Sequence, residues 1–104
     1  MSEHYILRNR KTIPATFQEW LDWCVEENNA GRDYKRVALN EKDGVRVSTV
    51  FLGLNHALHA NEPPLIFETM IFGGEHDQEQ DRCSTWDEAE QMHKRMCEKA
   101  GITK

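Results

Sequence analysis

The stretch Leu65 to Phe72, LIFETMIF, constrains the fold most. It is apolar except at Glu68 and Thr69, with Pro63-Pro64 before it and Gly73-Gly74 after it. It falls far short of the ~20 residues that cross a membrane as a helix. The prolines disfavour helix on their N-terminal side. A short apolar run bounded by such residues reads as a buried central strand. A central strand needs a partner on each side, so the rest of the chain must supply a sheet.

The partners are legible. Val45 to Leu52 starts amphipathic, with Val45, Val47, Thr49 and Phe51 on one side, and ends apolar on both. Lys35 to Leu39 precedes it across a hairpin loop, Asn40-Glu41-Lys42-Asp43-Gly44, that closes in Asp-Gly. Tyr5-Ile6-Leu7 reads as a short strand, Arg8 to Lys11 as a polar turn and Thr12-Ile13 as a return. Pro14 is expected to stop that sheet for want of an amide donor. Asp81 to Cys83 is expected to lie antiparallel to the central strand.

Two helices complete the pattern. Thr16-Phe17-Gln18-Glu19 and Thr85-Trp86-Asp87-Glu88 are both capping boxes. Residues 17–29 carry Phe17, Trp20, Leu21 and Cys24 at helical spacing, which places Trp23 at the stripe's edge. In the second helix Trp86, Ala89, His93, Met96 and Ala100 form the stripe, widened by Met92 and Cys97. Its acids crowd the start and its bases the end, which complements the helix dipole. The expected fold is α+β: an antiparallel sheet of four to six strands with both amphipathic helices packed on one face, in a single domain spanning 1–104.

Charge and cysteines narrow the function classes. Thirteen Lys and Arg against eighteen Asp and Glu give a net charge of -5, which argues against a general nucleic-acid binder. No run is apolar enough for a membrane span, and the opening MSEHYILRNR lacks the apolar stretch of a secretory signal. The expectation is therefore a cytoplasmic chain with reduced thiols at Cys24, Cys83 and Cys97. No cysteine pair has C-x-x-C spacing, and there is neither a P-loop nor G-x-G-x-x-G. No cofactor is implied.

Three blocks resemble a family of small uncharacterised proteins encoded by tailed phages and prophages. They are Val47-Ser48-Thr49-Val50-Phe51-Leu52-Gly53-Leu54 with His56; Pro63-Pro64-Leu65-Ile66-Phe67-Glu68-Thr69-Met70-Ile71-Phe72-Gly73-Gly74; and Arg82 with Ser84-Thr85-Trp86 and Glu88-Ala89. His93 falls where such proteins often carry histidine. The chain departs from the pattern at Ala57 to Glu62, where the family has a short Gly-rich loop, and at Cys83, often aromatic there. The resemblance implies a phage or prophage origin and a bacterial host cytoplasm. It implies no reaction.

Glu68 is the strongest single candidate for chemistry. Its same-side neighbours Ile66, Met70 and Phe72 would desolvate the carboxyl and raise its pKa, as a general acid or base requires. Arg46, Arg82 and His56 are its candidate companions. The plainer reading is a cross-strand ion pair with Arg46 or Arg82, or a Glu facing water. His56 and His59 invite a metal reading with Glu75, His76 and Asp77. The two groups lie at opposite ends of a strand about 26 Å long, so no metal site is expected within one subunit. Cys83 precedes a helix N-terminus, where the dipole would lower a thiol pKa and favour a nucleophile. The plainer reading is a packed strand residue. Arg8 to Lys11 reads as a solvated hairpin tip. The candidate binding residues are Thr49, His56, Glu68, Arg82 and Trp23; Trp23 beside Tyr34 would make an exposed interaction patch.

With no strong catalytic signature, the expected function is a non-enzymatic binding module. It would act on a host or phage macromolecule or by self-association, with a homodimer as one form. A small hydrolase-like enzyme built on Glu68 is the alternative, and a virion assembly accessory is a third reading.

Overall fold

A computed structural model of the chain describes residues 3–58 and 61–102. Its elements run β1 (His4–Arg8), β2 (Lys11–Ala15), α1 (Phe17–Asn29), β3 (Arg36–Lys42), β4 (Val45–Phe51), β5 (Phe67–Phe72), β6 (Gln80–Cys83) and α2 (Trp86–Lys99). β1 and β2 form a two-stranded hairpin; β3-β4-β5-β6 form an antiparallel four-stranded sheet in that order. The fold is α+β, and β5 is an interior strand as its composition required.

Turn chemistry sets the registers. Asp43 and Gly44 have φ of 52° and 82°. Two successive left-handed residues make the two-residue turn that matches strand twist. β3 therefore continues to Lys42, and the expected five-residue loop shrinks to Asp43-Gly44. Asn9 and Arg10, at φ 52° and 67°, turn β1 into β2 in the same way.

Pro14 does not stop the hairpin; it pairs with Tyr5 inside β2. The Tyr5 amide donates to Gly53 O at 2.8 Å, so it points away from β2. Tyr5 and Pro14 are then a non-hydrogen-bonded pair, and the proline's missing N–H faces outward on an edge strand where no ladder bond is lost. The same bond, with Asn55 N to Glu3 O at 2.9 Å, ties the hairpin to the segment leaving β4.

Both helices begin at their capping boxes, with Thr16–Glu19 and Thr85–Glu88 each making the reciprocal pair. α2 lies across all four strands of the larger sheet and buries Ala89, Met92, His93, Met96 and Cys97. α1 rests on the β1–β2 hairpin and reaches the sheet through Trp23, whose ring meets Phe51 edge-on at 5.7 Å. α2 is thus the sheet's roof, while α1's main seat is the hairpin.

The buried stripe of α1 is also displaced from the expected one. Trp23 is the buried residue of that helix, whereas Phe17, Leu21 and Val25 are 57%, 39% and 51% exposed. Trp23 sits between Tyr34 and Phe51 in a relay of rings that continues to Phe67 and Trp86. Tyr5, Ile6, Ala15, Trp23, Phe51, Ile66, Phe67 and Ala89 form one core cluster. Val47, Ile71, Met92, Met96, Cys97 and Ile102 form a second. Each large apolar side chain fully buried in these clusters contributes about 1.5–3 kcal/mol. No helix among the described residues is long and apolar enough to cross a membrane.

Gly53 is where these parts meet most tightly. Its φ is +75°, and a Cβ there would stand 2.6 Å from Trp20 Nε1 and 3.2 Å from Tyr5 O. Gly53→Ala is expected to lower unfolding stability by about 1–3 kcal/mol, through a strained backbone and a crowded indole. Urea unfolding followed by tryptophan fluorescence measures this; an unchanged midpoint would show that the crossing tolerates a side chain.

Candidate functional site

Strand alternation divides the larger sheet into two unlike sides. Val47, Thr49 and Phe51 of β4 and Phe67, Thr69 and Ile71 of β5 are buried on the α2 side. On the reverse side the registers align three rows: Glu41, Arg46 and Phe72; Leu39, Ser48, Met70 and Gln80; and Arg36, Val50, Glu68 and Arg82. Leu39 and Phe72 are each 43% exposed. Of the residues singled out on β4, β5 and β6, Glu68, Arg46 and Arg82 lie on this reverse side, whereas Thr49 and Cys83 fall on the α2 side.

Glu68 is directly opposite Arg82, and its Oε2 accepts from both Nε and Nη2 of that guanidinium at 3.0 Å. The carboxylate is largely shielded, and its charge is answered by a partner on the adjacent strand. Arg46 does not join it. It lies opposite Phe72, four residues and about 13 Å further along β5, and pairs with Glu41 at 3.3 Å. A shallow hollow beside Arg82 is walled by Glu62, Pro63, Leu65, Cys83, Ser84 and Glu88, with Glu68 outside that wall. This is the cross-strand ion pair of the plainer reading, with Arg82 as its partner.

The other sequence candidates are dispersed. His56 is exposed in the loop after β4, and no hydrogen bond joins it to Glu68 or Arg82. That loop is anchored by Asn55, whose Oδ1 accepts from Ala57 N at 2.8 Å and Leu65 N at 3.0 Å. His59 lies outside the described residues. Trp23 is buried, so it forms no exposed patch with Tyr34; the two rings pack edge-on at 5.2 Å.

Thr49 faces the α2 side, fully buried. Its Oγ1 lies 2.5 Å from Thr69 Oγ1 and 2.7 Å from His93 Nδ1, while His93 Nε2 lies 2.7 Å from Asn40 Oδ1. With Asn40 Oδ1 accepting, Nε2 carries a proton. Nδ1 can then accept from the Thr49 hydroxyl, which accepts in turn from Thr69. Sequence reasoning missed this series because its members are far apart in the chain. A hydroxyl, an imidazole and an orienting amide in order have the layout of a nucleophile, its base and a positioning group. Here the hydroxyl has no exposed surface and α2 lies over it, so no substrate reaches it. The series joins β3, β4, β5 and α2 by satisfying polar groups inside the core.

Cys83 overturns the expectation of an activated thiol. Burial, followed by the nearby Glu88 carboxylate, pushes its pKa up to about 11, and the thiol donates to Thr85 O at 3.7 Å. Desolvation and a like charge outweigh the helix dipole. His76 bonds Glu79, which also holds Lys99 Nζ at 2.5 Å. Lys99 first, then His76, keeps the Glu79 carboxyl below its ordinary pKa. Among the described residues no three His, Cys, Asp or Glu gather as a metal site. At the hairpin tip the Arg10 guanidinium sits 5.2 Å from the Trp86 ring centre, so this arginine packs on α2 rather than standing free.

No known protein family model, no curated protein and no solved structure matches the chain.

Two outcomes follow from this chemistry. Thr49→Val keeps the shape and removes the hydroxyl shared by Thr69 and His93, and is expected to cost about 1–3 kcal/mol of stability. Urea denaturation measures it; a neutral substitution would mean that the series contributes nothing to holding α2. Alkylation by iodoacetamide near neutral pH, mapped by mass spectrometry, should leave Cys83 largely unmodified in the folded chain. Its labelling should rise only in strong alkali, as thiolate forms. Rapid neutral labelling at Cys83 would contradict the raised pKa.

Proposed function

We propose that this chain is a non-enzymatic interaction module that binds a protein partner through the reverse side of its four-stranded sheet. The carrying observation is the apolar group Leu39, Val50, Met70 and Phe72, of which Leu39 and Phe72 are exposed and Val50 and Met70 partly buried. It is set between two cross-strand ion pairs, Glu41–Arg46 and Glu68–Arg82, on the side of the sheet opposite α2. An apolar centre with a charged margin is the anatomy of a protein interface. The ion pairs fix their side chains in advance, which lowers the ordering cost of binding.

The candidates for catalysis favour the same reading. Glu68 is neutralised by Arg82, the Cys83 thiol is protonated, and the Thr49–His93–Asn40 series is sealed. The resemblance in the blocks around Thr49, Glu68 and Trp86 supports a partner belonging to a host bacterium or a phage, met in the host cytoplasm. A second copy of the chain is the other form such a partner can take.

A photo-crosslinking amino acid at position 72 tests this in bacterial cells. Discrete adducts are expected, and Leu39→Glu in the same chain should abolish them while the circular dichroism spectrum is retained. Adducts of twice the chain mass would identify self-association. Absence of any adduct, or adducts indifferent to Leu39→Glu, would overturn the assignment of this side as the interface.

A further inference from the structure

The exposed side of α1 carries a second pattern, unrelated to the sheet. Phe17, Leu21 and Val25 recur at every fourth residue and form one ridge along the helix. All three are exposed although the hairpin and Trp23 already seat the helix. Asp22 and Glu26 follow the ridge one residue later, so an acidic line runs beside it at about 100° around the axis. Neither makes an ion pair among the described residues; Asp22 accepts only from Gln18. Glu27 pairs with Arg32, and Glu19 is occupied by its capping box.

The charge on this helix is one-sided. Residues 17–29 include Glu19, Asp22, Glu26 and Glu27 and no lysine, arginine or histidine, and the last turn has no basic residue. Acids at a helix C-terminus oppose its dipole, whereas α2 arranges its charges favourably, with Asp87 and Glu88 first and Lys99 last. α1 therefore retains an apolar ridge that stays exposed, although the Phe17 ring touches His4 edge-on at 5.5 Å, and an acidic line without an ion pair among the described residues.

We propose that the Phe17–Leu21–Val25 ridge with its Asp22–Glu26 line is the docking surface for a basic amphipathic segment of another protein. Its apolar residues would cover the ridge, and its lysines or arginines would meet Asp22 and Glu26. Charge selects this occupant over a second copy of the chain. A two-fold pairing of α1 ridges would bring two acidic lines together with no cation on either helix, which costs affinity and misdirects encounter. The same charge disfavours an anionic lipid surface. This surface is separate from the reverse side of the sheet and does not depend on its role.

The test uses the full chain and a synthetic amphipathic leucine–lysine helical peptide, with amide shifts followed by NMR. Saturable binding is expected, with the largest shifts in residues 17–26 and an affinity that falls more than tenfold on adding salt. Leu21→Glu should abolish binding with the spectrum still folded. Asp22→Lys combined with Glu26→Lys should transfer preference to a leucine–glutamate peptide. Leu39→Glu, on the sheet's reverse side, should leave peptide binding unchanged, which separates failure of one surface from failure of the other. The proposal is overturned if the acidic peptide binds the unaltered chain equally well, if shifts fall outside α1, or if binding survives Leu21→Glu. It is equally overturned if sedimentation shows a dimer that Leu21→Glu dissociates.

Discussion

The structure depends on the contact between α2 and the inner side of β4 and β5. Val47, Phe51, Phe67 and Ile71 are sealed there with Met92, Met96 and Ala89, and the Thr49–Thr69–His93–Asn40 series runs among them. The apolar contacts drive burial, and the hydrogen bonds fix register. A slip of β5 by one residue would send Thr69 outward and put Glu68 beneath the helix. Because α2 covers one side alone, Glu68, Met70 and Phe72 are left on the other.

That asymmetry turns the functional reading from catalysis towards binding. Thr49 and His93 lie inside the seal, and Glu68 is paired with Arg82 outside it. Apolar side chains are aligned and exposed on the sheet's reverse side and on the outer ridge of α1. Their surroundings differ. The sheet side has both signs of charge in cross-strand pairs, while the charged residues of α1 are acids alone.

Much of this was legible in the chain. LIFETMIF implied an interior strand, and two capping boxes located both helix starts, because those signals are local and depend on neighbouring residues. What was not legible depended on distant contacts. The apolar arc of α1 includes Phe17, Trp20, Leu21, Trp23, Cys24 and Val25, too broad to reveal which part is buried until Tyr34 and Phe51 enclose Trp23. Pro14 was tolerable because Tyr5 bonds Gly53 on its other edge. Asn40, Thr49 and His93 meet only after the sheet is assembled. Cys83 is close to a helix start in sequence, yet burial and Glu88 decide its pKa. For Glu68 the sequence left Arg46 and Arg82 open, and the β5–β6 register chose Arg82.

The most direct measurement places one substitution at two adjacent residues of β5, Ile71→Glu and Met70→Glu, and compares their unfolding free energies in urea. Ile71 is sealed under α2 and Met70 faces the open side. Burying an unpaired carboxylate should cost Ile71→Glu several kcal/mol, about 4 or more, and leave it unfolded or nearly so. Met70→Glu should stay folded with a loss of about 1 kcal/mol or less. Equal losses, or a greater loss at Met70, would mean that the reverse side is a covered core, contradicting the one-sided sheet from which the sheet interface is inferred.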